Sequence, residues 1–431
     1  MIDPAEQLAQ LKQRIAAIDA RYAGRKPVLA QARPVVEHKW MRSFVDEWSQ
    51  GEVVTNDFGQ HFQTERLFPP HKRHGSSDVS ALIDLPRDLL DALGAGCIPD
   101  AAPERWAFLD TETSGLVDGP GTYAFLTGIG RITRDGFRIR QFFMREYAEE
   151  RSVLAAVEEH LKNFDVLITY NGKSYDQPLL EMRYRMSRIP SPFARLSHLD
   201  ILHGARSLWK LRFENCRLIE LEQRVLGVER EGDLPGELIP YVYFEYLRSR
   251  HAQRLVPIFH HNAMDILTLA CLTAIVPAAF RSTETDSLAR LGVRRGEDLA
   301  GIARWLLAAG EEEQGLQLLK RAVAVGLPDP LLFKTLWDIA SYEKKLARAD
   351  AALSALGELA QCRNEYRVNA LVELAKYYEH EQRNYAQALE FTNQALSHEP
   401  GPALLERKAR LERRLARPPA RERSKSRVRQ T

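Results

Sequence analysis

The sequence predicts an α/β protein with a mixed β-sheet flanked by helices, followed by an all-α region of helical repeats. Short apolar runs of strand character alternate with helical patterns between residues 101 and 282, and this alternation is typical of α/β domains. Residues 288–415 carry helical patterns only. The chain has 431 residues, 45% of them hydrophobic and 27% charged, which is enough apolar material for more than one core.

Local patterns predict the elements of the α/β region. Two β-rich runs, 123–133 and 137–145, flank Arg134-Asp135-Gly136, and Asp-Gly between such runs is a strong hairpin signal. Gly227 is predicted to end a helix over 216–227, since glycine is common after the last helical turn. Further strands are predicted at 106–110, 165–170 and 198–202, and further helices at 149–164, 175–186 and 261–276.

The C-terminal region resembles a repeat array. Residues 368–400 have helix–turn–helix spacing close to a tetratricopeptide repeat, and 311–330 and 332–360 are weaker copies. The matching positions in the clearest copy are Leu374, Ala375, Tyr378, Ala388, Ala395 and Pro400. Such repeats stack into a curved surface that binds partners, so a protein partner is predicted here. A generic helical bundle is the alternative.

Two terminal regions complete the predicted organisation. Residues 1–100 begin with a helix over about 4–23 and continue as an irregular segment to which we assign no chemistry. Residues 416–431 are expected to form a basic, disordered tail. From 401 onward there are eleven Lys/Arg and three Glu, so the net charge of +2 for the chain combines +8 in this stretch with −6 elsewhere. This asymmetry favours contact with a polyanion, with a merely solvated terminus as the alternative.

Composition argues against membrane and disulfide-rich classes. The longest apolar stretch, Leu267–Phe280, is shorter than the roughly 20 residues that span a bilayer, and Pro277 interrupts it. We therefore predict a buried helix and no membrane partner. The N-terminus has no apolar signal-peptide core. The four cysteines are far apart and form no C-x-x-C pair, which fits reduced thiols and a cytoplasmic location.

A pair of acids provides the first chemical signal. Asp110 and Glu112 lie at the end of the strand predicted at 106–110, and side chains at i and i+2 of an extended chain point the same way. Two carboxylates aimed at one point suit Mg²⁺ or Mn²⁺. An acid-x-acid pair is also common among solvated turn residues, so the pair alone is weak.

Two more acids lie at the ends of other predicted elements, where functional sites gather. Asp176 follows a buried strand in Thr169-Tyr170-Asn171-Gly172-Lys173-Ser174-Tyr175-Asp176, and Asp265 is expected at or near the start of the last apolar helix. Each has a structural alternative. Asp265 could cap its helix, and Asp176 could be a first-turn acid favoured by the helix dipole.

In order, these stretches resemble the motifs of the DEDD (DnaQ-like) 3′–5′ exonuclease superfamily, and most closely the YprB-type ribonuclease H-like domain. ETSGL after Asp110 is similar to the first motif, TYNGKSYDQPLL to the second, and HNAMDILTL to the third. HLDILHGARSLWK and CRLIELEQRVLG resemble the segment between them. The resemblance covers about residues 100–280 and implies a ribonuclease H-like fold.

The resemblance also implies a chemistry. Asp110, Glu112, Asp176 and Asp265 would hold two divalent ions, Mg²⁺ or Mn²⁺, for two-metal phosphodiester hydrolysis. A histidine would accept the proton of the attacking water. His261 and His260 stand four and five residues before the last acid, and both positions occur in the superfamily. Alignment of Asn262 favours His261 and leaves His260 open.

Several nearby residues are candidate contacts for DNA or RNA. Asn171, Lys173, Tyr175 and Arg206 are predicted to bind nucleic acid, through phosphate pairing and base stacking. The alternative for the charged residues is ordinary surface exposure. Trp209 and Lys210 are weaker candidates, and core packing is the favoured reading of Trp209. Asp200 is expected to be a structural acid and not a further ligand.

Two glycine motifs do not bind nucleotides. Gly172-Lys173-Ser174 lacks the earlier glycine of a phosphate-binding loop, since position 167 is Leu, and Gly128-x-Gly130 lies inside a predicted strand. No nucleotide cofactor is therefore predicted. The sequence favours a metal-dependent nuclease, with exonuclease polarity expected from the resemblance and endonuclease action as an alternative. A catalytically silent nucleic-acid-binding scaffold that acts through the repeats is the other alternative.

Overall fold

The computed structural model describes residues 49–94, 96–115, 121–230 and 232–416. The predicted N-terminal helix at 4–23 and the tail after 416 lie outside the described residues. Contacts divide the chain into two compact units, which meet in sequence at Val293 and Arg294.

The first unit is built on a mixed sheet. Its strands are β1 (Gly51–Asn56), β2 (Gly59–Phe68), β5 (Trp106–Thr113), β6 (Ala124–Thr133), β7 (Gly136–Phe143), β8 (Val166–Thr169) and β9 (Ser197–Asp200); β3 (Arg73–His74) and β4 (Ser77–Asp78) form a separate two-stranded pair. Among the described residues the large sheet has seven strands in the order β1-β2-β7-β6-β5-β8-β9. β5 pairs antiparallel with β6 and parallel with β8, and β8 pairs parallel with β9. This confirms the predicted mixed sheet.

The hairpin predicted from Asp135-Gly136 joins β6 and β7, with Thr133 opposite Gly136. Gly136 has a φ of +128°, where a side chain is strained. A Cβ there would lie 2.1 Å from the backbone oxygen of Phe68. Glycine is therefore required both by the turn and by the close approach of β2.

The sheet begins before residue 101, where the sequence analysis placed the start of the domain. β1 and β2 lie in the segment that was interpreted as irregular, and β2 pairs antiparallel with β7. The reason is that β2 lies near the edge of the sheet and is rich in polar residues. Only His61, Phe62, Thr64 and Phe68 of its ten residues are buried, so its apolar pattern is too weak to be recognised as a strand.

Helices cover both faces of the sheet. They are α1 (Ser80–Ile83), α2 (Asp91–Gly94), α3 (Glu150–Leu161), α4 (Asp176–Ser187), α5 (Ile201–Trp209), α6 (Leu218–Leu221), α7 (Ile239–Ser249), α8 (Val256–Arg281) and α9 (Thr285–Arg290). A π-helical turn, Glu222–Leu226, extends α6 and ends at Gly227, whose φ is +72°, as predicted. α8 packs on β5, β6 and β7.

α8 is longer than the predicted helix at both ends, because it begins at Val256 and runs through Pro277. By length and composition alone it could span a membrane, but 78% of its most apolar window is buried inside the protein. The core helix of a soluble protein has the same properties, so this is weak evidence for a membrane span. The observed burial agrees with the predicted buried helix.

The second unit is a series of helices in which each packs on the next: α10 (Gly296–Ala308), α11 (Glu312–Val325), α12 (Asp329–Lys345), α13 (Ala349–Gln361), α14 (Arg367–His380), α15 (Tyr385–His398) and α16 (Pro402–Leu415). Short loops join them into hairpins, α10–α11, α12–α13 and α14–α15. The segments 332–360 and 368–400 correspond to the second and third hairpins. The segment 311–330 is only the second helix of the first hairpin, because its partner α10 lacks recognisable repeat positions.

Candidate active site

Asp110 and Glu112 lie on β5, where the sequence predicts them. β5 is central, and Trp106–Leu109 just before the acids is almost fully buried. The pairing of β5 with β6 shifts register between Glu112 and Thr113, so regular pairing stops immediately after the second acid. Glu112 is buried and Asp110 is half-buried. β5 thus places both carboxylates at the buried side of the candidate site.

Asp176 is the first residue of α4, as the sequence predicts. The hydroxyl of Thr111, which lies between the two acids of β5, donates a hydrogen bond of 2.5 Å to Oδ1 of Asp176. This bond ties the start of α4 to the end of β5. It brings the third acid to the first two.

Asp265 lies in the middle of α8, not at its start, so it is not a helix cap. The helix begins at Val256, with Pro257 in its first turn, a position that proline favours. Because residues four apart share a helix face, His261 lies beside Asp265, with 3.5 Å between Nε2 and Oδ2. The side-chain amide of Asn262 donates a hydrogen bond of 2.8 Å to Oδ2 of Asp110. α8 therefore meets β5 at the acids.

The carboxylates share one electrostatic environment. Burial, together with Asp265, Glu112 and Asp176, raises the pKa of Asp110 well above its usual range. Burial, with Asp265 and Asp176, raises the pKa of Glu112 to about 8 against the lowering effect of His261. Burial raises the pKa of Asp176 to about 6, although the Thr111 hydrogen bond opposes it. Repulsion of this kind requires proximity, so the three elements bring the four acids together.

The side chains do not surround a preformed ion cage. Within the residues that the structure describes, no three His, Cys, Asp or Glu side chains are arranged to hold a metal ion. Three of the acids instead use an oxygen for a protein donor: Asp110 binds Asn262, Asp176 binds Thr111, and Asp265 binds Arg230. The donor set still fits Mg²⁺ or Mn²⁺ in its chemistry, because it offers oxygen ligands only and its mutual repulsion is relieved by positive charge.

His261 and His260 have different surroundings. Nδ1 of His261 lies 3.0 and 3.1 Å from the two carboxylate oxygens of Asp233. Burial disfavours the charged imidazole of His261, but Asp265, Asp233 and Glu112 outweigh it and raise its pKa to about 9. His260 is exposed and its Nδ1 lies 3.3 Å from Nη1 of Arg66. Of the two, only His261 contacts a candidate metal ligand.

Arg230 and Asp233 are site residues that the sequence analysis missed. The buried guanidinium of Arg230 lies 2.5 Å from Oδ1 of Asp265, 3.2 Å from Oδ2 of Asp233 and 2.6 Å from Oε2 of Glu222. Both residues come from the irregular segment between Gly227 and α7, where an Arg and an Asp among other charges give no distinctive pattern. Asn262 could have been identified as a site residue from the sequence, since it lies inside the third motif.

Two clefts meet at Asp110 and share Tyr170 and Asn171. The larger, about 650 Å³, also reaches Asp265 and exposes Arg206, Lys210 and Arg217. The smaller, about 290 Å³, is lined by Tyr175 and Asp176 among others. The predicted contacts Asn171, Tyr175 and Arg206 therefore lie at the site, while Lys173 is exposed and lines neither cleft.

Asp200 and Trp209 have the structural positions expected for them. The carboxylate of Asp200 accepts hydrogen bonds from the backbone N–H groups of Asn171, Lys173 and Leu202. It thus holds the loop after β8 against the start of α5. Trp209 is buried in the core.

Comparison with known proteins agrees with the fold. A sequence model of the RNase_H superfamily matches residues 107–276, the span from β5 to α8. The chain is 31% identical over 294 residues to the uncharacterized protein YprB of Bacillus subtilis (strain 168), over 67% of this chain and 68% of the relative. The chain belongs to the family of YprB, and residues 107–276 form an RNase H superfamily domain. An RNase H-like domain supports a role as a nuclease or nucleic-acid-binding protein, and RNase H-like nucleases typically use divalent metal ions.

Proposed function

We propose that the protein is a metal-dependent nuclease, and more narrowly a 3′–5′ exonuclease of the DEDD type. The observation that carries this proposal is the convergence of four acids from β5, α4 and α8, with the pKa values of Asp110, Glu112 and Asp176 raised. Mutually repelling carboxylates cost stability unless a cation neutralises them. A site of this composition is therefore better suited to binding cations than to holding the fold together.

Each side chain has a role in the proposed reaction. Asp110, Glu112, Asp176 and Asp265 would hold two Mg²⁺ or Mn²⁺ ions. When bound, such ions supply an activated water and stabilise the leaving 3′-oxygen. Asp233 accepts the Nδ1 proton of His261 and so orients its ring. Asp265 and Glu112 help to raise the pKa of His261 to about 9; ions held by these acids would remove that negative charge, and Nε2 would then be free to accept a proton. His261, not His260, is then the general base.

The substrate-binding part of the proposal rests on the clefts. The larger cleft presents Arg206 and Lys210, four residues apart on or just after α5, next to Asp110 and Asp265. Cations in such a groove pair with backbone phosphates without reading sequence. Tyr175 in the smaller cleft is 57% exposed, so its ring is free to stack on a base.

A nuclease panel tests the proposal. Single- and double-stranded DNA and RNA, labelled at the 3′ or 5′ end, are incubated with the protein with and without Mn²⁺. We expect Mn²⁺-dependent release of mononucleotides from 3′ ends, and no degradation by Asp110→Ala. Equal degradation by wild type and Asp110→Ala would contradict the proposal that this protein is a nuclease. Internal fragments in place of mononucleotides would indicate an endonuclease.

A nucleic-acid-binding scaffold is the second candidate. It is favoured by the ion pair of Arg230 with Asp265, because a protein cation already neutralises one acid. The same panel separates the two: a silent protein binds the oligonucleotides but degrades none with Mn²⁺ or Mg²⁺. We also propose that the helical hairpins of the second unit are tetratricopeptide-like and bind a protein partner, and that the protein is cytoplasmic.

A further inference from the structure

A third cleft, of about 510 Å³, lies beside Asp233 but contains none of the four acids. Its walls come from β2, from the segment before α7 and from the first turns of α8. The residues that matter are Arg66, Asp233, Val256, Pro257, Phe259 and His260. Its volume is within the range of about 300–1,000 Å³ that is usual for small-molecule sites.

The free charge in this cleft is positive. Glu65 is paired with Arg138 at 3.0 Å and with Arg140 at 2.6 Å. Asp233 is paired with His261 and Arg230. Arg66, by contrast, forms no ion pair with any acid in the part of the chain that the structure describes. Both acids of the cleft are thus engaged in ion pairs, and the guanidinium of Arg66 is not.

Arg66 and His260 offer hydrogen-bond donors side by side. A guanidinium can only donate, so at 3.3 Å from Nη1 of Arg66 Nδ1 of His260 is the acceptor. Neutral His260 then carries its proton on Nε2. The guanidinium also stands over the ring of Phe68, 4.7 Å from its centroid, which restrains its orientation. A forked guanidinium next to an imidazole N–H matches the oxygens of a phosphate group.

Part of the cleft wall is apolar. Val256, Pro257 and Phe259 line it at the start of α8. We propose that this cleft binds a nucleoside monophosphate, with its phosphate on Arg66 and His260 and its base against the apolar wall. If the chain releases mononucleotides, which rests on the proposed function, the cleft holds the released product.

Calorimetric titration of the full chain in EDTA tests the binding, since chelation removes nucleotide held through metal ions. The probes are AMP, inorganic phosphate and adenosine. We expect AMP to bind more tightly than phosphate, and adenosine not to bind measurably. Arg66→Ala should weaken AMP binding at least tenfold, and Arg66→Lys should recover only part of it because the fork is lost.

Controls separate this cleft from the acid-lined clefts. Arg185→Ala, which removes an exposed cation of α4 outside the three clefts, should leave AMP affinity as in wild type. Loss of AMP binding in Arg206→Ala but not in Arg66→Ala would overturn the proposal, as would binding of adenosine as tight as that of AMP. If AMP binds through Arg66 but no nuclease activity exists, the proposed function fails and the cleft assignment stands. If hydrolysis occurs, AMP should inhibit it less in Arg66→Ala.

Discussion

At the scale of single residues, the proposed proton transfer depends on the contact between Asp233 and His261. Both carboxylate oxygens of Asp233 lie within hydrogen-bond distance of Nδ1 of His261, and Nη1 of Arg230 lies 3.2 Å from Oδ2 of the same carboxylate. The ring of His261 is thereby held in one orientation, with Nε2 beside Asp265. A base that the fold already orients requires less free energy to reach the geometry of the transition state.

The first prediction compares the two adjacent histidines. His261→Ala should lower kcat by about two to four orders of magnitude, the usual contribution of a general base. His260→Ala should lower kcat far less, because its ring faces Arg66 and not the acids. Steady-state kinetics on a 3′-labelled oligonucleotide with Mn²⁺ measure both. A larger loss in His260→Ala would show that the wrong histidine has been assigned.

The second prediction concerns the stability of the metal-free site. Acids whose pKa is raised in the folded state stabilise it below their unfolded pKa, and this contribution is lost as the pH rises towards the folded pKa, about 8 for Glu112. In EDTA the wild-type melting temperature should therefore fall between pH 6.5 and 8.5. Asp110→Asn should have a higher melting temperature than wild type. Its melting temperature should also decrease less over that pH range, since one repelling charge is gone.

Thermal melts of both proteins at these two pH values are the measurement. Asp176→Asn is a matched variant that removes another acid of the cluster and should behave in the same direction. An Asp110→Asn protein that melts lower than wild type at pH 8.5 would mean that the carboxylate stabilises the fold, contrary to the proposed role.

Some residues of the candidate site could be predicted from the sequence and others could not. The positions of Asp110, Glu112 and Asp176 were predictable because each stands in a motif at the end of a strand or the start of a helix. Asp265 was identified from its motif alone, since it lies in the middle of α8. Arg230 and Asp233 were not predictable, since their role arises only when the segment before α7 folds against α8. The choice between His260 and His261 likewise depended on helix rotation, which spacing alone does not determine.

At the scale of elements, α8 organises the first unit. It packs on β5, β6 and β7 and delivers His261, Asn262 and Asp265 to the end of β5. Gly128 and Gly130 of β6 permit this contact, because a Cβ at Gly128 would lie 2.2 Å from Oδ1 of Asn262 and one at Gly130 2.6 Å from Ile266. The Gly-x-Gly pattern in β6 is thus explained by close packing of a helix.

Most elements were predictable from apolar periodicity and turn residues, including the β6–β7 hairpin, α3, α4 and β8. β1 and β2 were not, because strands near a sheet edge show few buried positions. The start of α8 was also missed. Its first residues include Pro257, which is compatible with a first helical turn but is read along the sequence as a break.

The third prediction concerns two histidines that pack against β7. His61 and His160 are buried, and Nε2 of each has no hydrogen-bond partner among the described residues. Burial lowers the pKa of each to about 4. A histidine whose folded pKa is depressed stabilises the fold above its unfolded pKa of about 6.5, and this contribution is lost as the pH falls towards 4.

Substitution of one of them gives the test. His160 packs between Phe142 and Phe164, with centroid distances of 5.6 and 5.5 Å, so His160→Leu keeps an apolar contact and removes the titration. Urea unfolding at pH 7 and pH 5 should show a smaller loss of unfolding free energy in the variant, by up to about 2 kcal/mol. An identical loss of unfolding free energy in both proteins would show that protonation of His160 does not destabilise the fold.

At the scale of the whole molecule, the candidate site belongs to the first unit, and the basic tail follows the second unit in sequence. The truncation that tests the tail should follow residue 416, because α16 is structural. Leu411 is fully buried, and Arg407 and Arg410 bind the buried carboxylate of Glu379 at 2.6 and 2.8 Å. Removing α16 would leave that carboxylate with less compensation.

The fourth prediction is that deletion of 417–431 weakens binding to single-stranded nucleic acid and flattens its salt dependence. The deleted stretch has six Lys/Arg and one Glu. Each phosphate contact that is lost should reduce the log–log salt slope by about 0.7. Fluorescence anisotropy at several salt concentrations measures this. Superimposable salt curves for the full and truncated chains would make the tail irrelevant to binding.

The two-unit organisation was predictable, since α/β alternation gives way to helices only. The domain start and the phase of the first repeat were not. Both depend on tertiary pairing, of β2 with β7 and of α10 with α11, and neither pairing leaves a strong local pattern.

The most direct test of the account is Mn²⁺ binding by wild type and by Asp110→Asn, Glu112→Gln, Asp176→Asn and Asp265→Asn, measured by calorimetry at pH 7.5. The account predicts that wild type binds Mn²⁺ and that each substitution weakens binding at least tenfold, because all four acids contribute to one site. Wild-type protein that binds no Mn²⁺, or four variants that bind it as tightly as wild type, would contradict the claim that these acids form a cation site.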